Sequence, residues 1–138
     1  MDFSLEVLHR PSRSHASLSD LQTLASFVLA KEKVKGDSEI AVRIVDDKTI
    51  QDLSRHYVGE DHVTDVITFP YGAPPHFAVD IAICGSQAAR QAKDVGHSVR
   101  DEIRLLLIHG LLHCFGYDDH APTQRKRMFK RQDQLLSK

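Results

Sequence analysis

Two histidines spaced four residues apart, His109 and His113, are the residues in this chain best placed to bind a metal ion. On a helix of 3.6 residues per turn, positions i and i+4 lie on the same face, so both imidazoles can reach one ion. Gly116 follows, and glycine readily adopts the left-handed conformation that ends a helix. The chain can then turn back and bring Asp119 or His120 to the ion as a third ligand. Three protein ligands and an open fourth position are typical of a catalytic zinc site.

The spacing of the two histidines is weak evidence by itself. Nine histidines in 138 residues give roughly 0.6 such pairs by chance. The surrounding sequence strengthens the case, because the apolar run at 103–108 leads into the first histidine and the glycine and acidic cluster follow the second. We therefore predict a metal site with one Zn²⁺ per chain rather than a pair of core histidines.

The residue after the first histidine argues against a protease. Zinc proteases of the H-E-x-x-H type have a glutamate there, which serves as the general base. This chain has Gly110 at that position. Peptide hydrolysis would need another carboxylate, such as Glu102 about two helical turns earlier. We therefore disfavour a metalloprotease.

The composition suits one soluble domain spanning residues 1–138, with 41% hydrophobic residues and a net charge of −1. We expect a cytoplasmic protein, since no stretch approaches the ~20 apolar residues that span a bilayer. We also expect Cys84 and Cys114 to be free thiols. Cys114 is next to His113 on the predicted helix and so points about 100° away from it, which indicates a small buried hydrophobe rather than a ligand.

Because the net charge is close to zero, any binding site for a polyanion must be local. Two clusters of cations are candidates, and a solvated helix face is the alternative interpretation of both. The first comprises Arg90, Lys93, His97, Arg100 and Arg104. Gly96 and a predicted N-cap at Ser98 divide this cluster between two helices. The second comprises Arg125, Lys126, Arg127, Lys130 and Arg131.

The hydrophobic pattern predicts an α+β domain with a mixed sheet of roughly four strands and about four to five helices. Alternating apolar residues predict strands at 3–7, 40–44 and 79–83, and the run at 63–69, which ends at Pro70, predicts a further strand. Helical periodicity predicts helices at 21–29, 86–95, 98–114 and 123–136, with a further short helix after Asp46 or Asp47. The segments 10–17 and 71–76 are predicted to be loops.

Four blocks of the sequence together resemble the bacterial YbeY endoribonuclease family. They are residues 53–57 (LSRHY), 61–70 (DHVTDVITFP), 79–83 (VDIAI) and 109–120 (HGLLHCFGYDDH). The resemblance implies the predicted architecture, zinc bound through the histidine block, and action on ribosomal RNA. It further implies a role in maturation of the 3′ end of small-subunit RNA and in ribosome quality control, with ribosomal RNA and the ribosome as partners.

Two positions depart from the family pattern. The family usually has arginine directly after the tyrosine of the first block, where this chain has Val58. Because a guanidinium stabilises charge on phosphorus, we name Arg55 as its candidate substitute for binding and catalysis. The histidine motif usually ends Gly-Tyr-Asp-His, whereas Asp119 stands at the ligand position here. The family methionine nine residues later then falls on Met128, so we favour Asp119 and keep His120 as the alternative.

The remaining candidate residues follow from this resemblance and from the local charge. We predict that Asp65, Arg100 and Arg104 join Arg55 in binding RNA, and that Asp80 is a second candidate for catalysis. Asp65 and Asp80 can equally be structural groups at strand ends. We expect a single-stranded substrate, since unpaired RNA can be splayed into a cleft. The alternative function is a non-catalytic, metal-stabilised module associated with the ribosome.

Overall fold

The structure, a computed structural model, describes residues 1–11, 16–72 and 75–136. Parts of the two predicted loops, at 12–15 and 73–74, lie outside the described residues. The elements along the chain are β1 (Asp2–Val7), α1 (Leu18–Lys31), β2 (Ser38–Val45), α2 (Asp47–Leu53), a π-helical turn (Ser54–Val58), β3 (Val66–Tyr71), β4 (Phe77–Cys84), α3 (Gly85–Val95), α4 (Val99–Cys114) and α5 (Pro122–Leu136). The predicted α+β class is confirmed. No helix in these ranges is long and apolar enough to cross a membrane.

The four strands form one mixed sheet in the order β1-β2-β4-β3. Strands β1, β2 and β4 are parallel, and β3 pairs antiparallel with β4 at the edge of the sheet. The prediction of β3 was wrong at both ends, because the strand begins at Val66 and continues through Pro70 to Tyr71. A proline is tolerated in an edge strand, where its missing N–H does not interrupt pairing with a second neighbour.

Alternation along the strands gives the sheet two buried faces of different size. The larger, which we call the α4 face, is covered by α1 and α4 and holds the main core. Its strand residues include Ile40, Val42, Ile44, Val79, Ile81 and Ile83. The smaller, which we call the α2 face, packs Ile50 of α2 against Val45, Ile67, Ala82 and Cys84.

Helix α4 begins and ends as the sequence predicts. The side chain of Ser98 caps its start by accepting a hydrogen bond from the backbone N–H of Asp101 at 3.0 Å. At its end, Gly116 adopts φ +96°, and the N–H of Tyr117 donates to the carbonyl of Leu112 at 3.1 Å. This hydrogen bond and the left-handed residue form a Schellman motif, which reverses the chain directly after the second histidine.

A close approach between α4 and the edge strand depends on Gly110. A Cβ atom added there would lie 2.9 Å from Cγ2 of Thr68 and 3.5 Å from Cγ2 of Val66. Only a residue without a side chain lets the helix lie this near β3. Gly110 therefore has a packing role in addition to leaving the histidine motif without a protease glutamate.

The π-helical turn after α2 was not predicted. Asp46 caps α2 by accepting from the backbone N–H of Thr49 at 2.9 Å, as one of the two expected caps. The helix then widens at 54–58, where Gly59 ends it with φ +84°. Such turns are rare and often occur at functional sites, but the periodicity of this short segment gives no signal for the extra residue.

Candidate metal centre

The structure brings His109, His113 and Asp119 together at the C-terminal end of α4. The two Nε2 atoms are 3.1 Å apart, and Oδ2 of Asp119 lies 3.6 Å from the first and 3.7 Å from the second. Ligands about 2.0 to 2.1 Å from a tetrahedral ion are separated by about 3.3 Å, so these three atoms have the spacing of one coordination shell. The cluster is therefore able to hold a metal ion.

Hydrogen bonds at the far side of each imidazole determine where the ring protons lie. Nδ1 of His109 is 2.6 Å from Oε1 of Gln132, and Nδ1 of His113 is 3.1 Å from the backbone oxygen of Tyr117. Carbonyl oxygens only accept, so both Nδ1 atoms donate and both Nε2 atoms are left with a lone pair. The 3.1 Å contact between the Nε2 atoms then sets two lone pairs face to face. A cation between them removes that repulsion, and this pattern is usual for histidines that bind metals.

The segment that carries Asp119 is tied to the neighbouring helices. Its backbone carbonyl accepts a hydrogen bond from Nε of Arg125 at 3.0 Å. Just before it, the Tyr117 hydroxyl donates to the Glu32 carboxylate at 3.4 Å, which also binds Nε of Arg131 at 2.7 Å. These contacts connect α1, the turn and α5, so the position of the carboxylate depends on packing between distant segments.

The alternative third ligand, His120, points elsewhere. Its side chain is 88% exposed, and its Nε2 lies 3.6 Å from Oδ1 of Asp118. It can share an ion with Asp118 and Asp119, but it is not grouped with the two histidines of α4. The geometry thus favours Asp119 as the third ligand, and the assignment stays a prediction.

The two histidines and one carboxylate are a donor set that suits zinc and several neighbouring divalent metals. Cys114 is absent from this cluster. Burial raises the pKa of its thiol, and a hydrogen bond with Thr68 offsets part of that rise. On the α2 face, burial raises the pKa of Cys84 to about 11. Both cysteines are free thiols, as expected.

The sequence profile of a known family, described as Endoribonuclease YbeY, matches residues 9–138. The chain belongs to the YbeY family. It is 39% identical to an Endoribonuclease YbeY of Thermobifida fusca, over 85% of this chain and 82% of that protein. A protein of the same name from Macrococcus caseolyticus is 36% identical, over 87% and 84% respectively. A solution structure from Thermotoga maritima superposes with a TM-score of 0.63 at 27% identity, covering 96% of this chain and 86% of that one.

Two of the arginines predicted to bind RNA have structural partners in this YbeY chain. Nε of Arg100 lies 2.7 Å from Oδ2 of Asp20, and Arg104 forms an ion pair with the other oxygen of the same carboxylate. These pairs join α4 to the start of α1, and the side chain of Arg104 is only 16% exposed. Their role in RNA binding stays a prediction, but Arg104 would have to leave a half-buried ion pair to fulfil it.

Arg55, the proposed substitute for the missing family arginine, lies on the π-helical turn. Its Nη2 atom is 2.6 Å from Oδ1 of Asp52, and its Nη1 atom is 3.8 Å from Oδ1 of Asp61. The side chain is 51% exposed, so these surface pairs are weak and leave the guanidinium able to exchange partners. Val58, which stands in place of the arginine, is also 51% exposed. Arg55 forms no hydrogen bond or ion pair with the three candidate ligands.

Asp65 belongs to a polar network at the edge of the sheet. It accepts a hydrogen bond from Nε2 of Gln91 at 3.4 Å, and the same amide group donates to Glu102 at 2.9 Å. The other oxygen of Glu102 lies 2.6 Å from Nε2 of His97. Because Glu102 is 4% exposed and both its oxygens have partners, it is poorly placed to be the base that a protease would need.

Asp80 lies on the α2 face, on the side of the sheet away from α4. It lines a groove of about 370 Å³ together with Tyr57 and Phe69, whose rings meet edge to face at 5.4 Å. The strand alternation predicted this orientation, since the neighbouring Val79 and Ile81 pack into the core beneath α4. A catalytic role for Asp80 at the histidine cluster would require the substrate to reach both sides of the sheet.

Two residues at the centre were missed by the sequence analysis. Gln132 holds the His109 ring from α5, and Arg125 holds the backbone of Asp119. Gln132 follows the buried Met128 by one helical turn, so the periodicity of α5 places both on its inner face. A polar residue on an apolar helix stripe was the available signal, but its partner could not be identified without the packing of α5 on α4.

Proposed function

We propose that this protein is a zinc-dependent endoribonuclease that cleaves single-stranded RNA during maturation of ribosomal RNA. The proposal includes the 3′ end of small-subunit RNA as its site of action, a role in ribosome quality control, and a cytoplasmic location. It is supported by membership of a family whose relatives are named endoribonucleases, and by the resemblance to that family in the histidine block.

The observation that carries the proposal is the pair of Nε2 atoms that face each other 3.1 Å apart. His109 and His113 direct these atoms toward one point, and Asp119 adds a carboxylate oxygen within 3.7 Å of both. Such an arrangement is poor for a structural core, where each imidazole would find a donor for its lone pair. It is well suited to an ion with an open position for a substrate.

Each residue around the ion has a defined task in this proposal. When bound, zinc supplies Lewis-acid chemistry at a phosphodiester and makes water a better nucleophile at neutral pH. Gln132 and the Tyr117 carbonyl keep both imidazoles in the tautomer that binds the metal. Gly110 lets α4, the helix that carries both histidines, pack closely against Thr68 of β3. These residues prepare the site before RNA arrives, which is the usual source of electrostatic catalysis.

The proposal is tested by measuring zinc and cleavage on the same preparations. We expect about one zinc per purified chain, and metal-dependent cleavage of single-stranded RNA from the 3′ end of small-subunit RNA. His109→Ala, which removes a ligand, should lose both zinc and cleavage, whereas Asp80→Asn, which alters an acidic residue on the other face of the sheet, is the matched control for zinc content alone. Cleavage that survives complete removal of the metal by a chelator would refute the zinc-dependent mechanism.

Val58 is the specific observation that favours the alternative, a metal-stabilised module that docks on the ribosome without cleaving RNA. Val58→Arg restores the residue that the family usually has, and a guanidinium beside the reacting phosphate would add stabilisation of developing charge. We expect a rise in the cleavage rate with unchanged zinc content. If the zinc-loaded protein binds single-stranded ribosomal RNA but neither it nor Val58→Arg cleaves it, the docking module replaces the nuclease.

A further inference from the structure

We propose that the outer face of α5 is the surface along which single-stranded RNA reaches the metal centre, with Arg125 binding a phosphate and Phe129 stacking a base. This inference rests on the proposed function and identifies where its substrate lies. The two sides of α5 have different surroundings. The inner side buries Met128, Gln132 and Leu135 against α4, and Gln132 contacts the candidate ligand His109.

The cations of α5 fall into two groups that the sequence does not separate. Arg127 lies 5.0 Å from the centroid of the Tyr117 ring, and Arg131 is paired with Glu32 at 2.7 Å. These two are committed to the body of the protein. Lys126 and Lys130 are exposed and make no hydrogen bond or ion pair within the part of the chain that the structure describes. The free cations therefore lie together, one helical turn apart.

Arg125 connects this surface to the metal centre. Its Nε atom donates to the backbone carbonyl of Asp119 at 3.0 Å, while its two Nη groups have no partner among residues 1–11, 16–72 and 75–136. The guanidinium is thereby held next to a candidate metal ligand with its outer edge free. A planar fork of N–H donors in this orientation matches the geometry of a phosphate oxygen pair.

Phe129 supplies an aromatic surface beside the cations. Its side chain is 46% exposed, and it lies one turn from Arg125 and next to Lys126 and Lys130 on the helix surface. Aromatic rings that stack bases, together with cations that follow the phosphates, are the two features of proteins that bind single strands.

The arrangement explains how a chain of net charge −1 can bind a polyanion. Arg90, Arg100 and Arg131 are each neutralised by a carboxylate within 2.8 Å, whereas the exposed cations of α5 are not. The exposed surface of α5 therefore carries three cations, Arg125, Lys126 and Lys130, and one carboxylate, Asp133, so it offers local positive charge on a protein that is nearly neutral as a whole.

The test is equilibrium binding of a fluorescent single-stranded RNA 12-mer to the zinc-loaded protein at several salt concentrations, with probe integrity checked on a gel. We expect a slope of log affinity against log salt of roughly −1.5 to −3 for two to four phosphate contacts. Arg125→Ala and Lys126→Ala should each reduce its magnitude by about 0.7, while Arg125→Lys should retain it. Phe129→Ala should weaken binding about fivefold or more with no change in slope, since stacking is not ionic.

Matched controls remove the same groups elsewhere. Arg43→Ala removes an exposed arginine of β2, and Tyr71→Ala removes an exposed aromatic ring of β3, so both changes lie on the sheet and not on α5. Variants of α5 that bind RNA like these controls would overturn the proposal. So would a loss of zinc in Arg125→Ala, measured by chelator competition, without any loss of RNA binding, because Arg125 would then only support Asp119.

Binding and cleavage distinguish this inference from the proposed function. If wild-type protein cleaves RNA while the α5 variants bind and cleave normally, the enzyme assignment stands and the RNA surface is elsewhere. If the protein binds RNA through α5 with the expected slope and ring dependence but leaves it intact, the surface stands and the nuclease proposal fails.

Discussion

The candidate site residues on the two faces of the sheet are held in different ways. Around α4, His109, His113 and the backbone of Asp119 are each held by a named hydrogen bond from α5 or from the turn after α4. On the α2 face, Arg55 makes only exposed ion pairs. Asp80 makes no hydrogen bond or ion pair with the described residues. A site that must keep a fixed geometry needs the first arrangement, since each side chain is already oriented before a ligand binds.

The largest expected effect is the loss of metal in His109→Ala. Removing one of three ligands should lower zinc affinity by more than the ten- to hundredfold that a lost supporting hydrogen bond costs. Elemental analysis after dialysis checks this, and His113→Ala should behave alike. Asp80→Asn on the α2 face should keep the wild-type zinc content. A wild-type zinc content in both histidine variants would mean that the metal binds elsewhere and that the contrast between the two faces is wrong.

The third ligand gives a narrower test within the same centre. Asp119→Ala should weaken zinc binding more than His120→Ala, because only Asp119 lies within 3.7 Å of both histidines. Asp119→His restores the residue usual in the family and should bind zinc about as well as the wild type. Competition with a chromogenic chelator ranks the three variants. The reverse order of the two alanine variants would move the ligand to His120, and equal small effects would leave neither in the coordination shell.

The supporting role of α5 can be tested at Gln132. Gln132→Met keeps the size of the side chain but removes the acceptor for Nδ1 of His109, so zinc affinity should fall about ten- to hundredfold. Gln124→Met makes the same chemical change on the exposed side of α5 and should have no effect. Zinc affinities that match in the two variants would show that orientation of the imidazole from α5 is unimportant.

The smallest expected effect is on folding stability. Gly110→Ala places a Cβ 2.9 Å from Cγ2 of Thr68, and the stiff β-branched side chain cannot easily move away. Overpacking costs about 1 to 3 kcal/mol, partly offset by up to about 1 kcal/mol of better helix propensity. Urea unfolding of the zinc-free forms should show net destabilisation. Thr68→Ser removes the clashing methyl group and should restore stability in the double variant. If the effects of the two substitutions on the free energy of unfolding are simply additive, this contact is not the cause of the destabilisation.

Much of the fold could be predicted because its signals are local. Alternation identified three of the four strands, and a run ending at Pro70 identified the other. The ends of α4 were correct because the side chain of Ser98 and the conformation of Gly116 determine them. The edge strand and the π-helical turn were harder to predict from the sequence. Proline at position 70 predicts the end of a strand. The strand can continue through it because β3 lies at the edge of the sheet.

The sequence by itself determined the histidine pair and the turn that follows it, because residues one helical turn apart are neighbours whatever the rest of the chain does. Only the tertiary structure decided which partner completes or supports that pair. Gln132 contacts His109, which is 23 residues away in the sequence, and Asp20 forms an ion pair with Arg100, which is 80 residues away. Such contacts depend on how helices pack on the sheet, and packing is the sum of many weak interactions that no short segment encodes. The same packing separates the cations that are neutralised by carboxylates from Lys126 and Lys130 of α5, which have no ion-pair partner among the described residues.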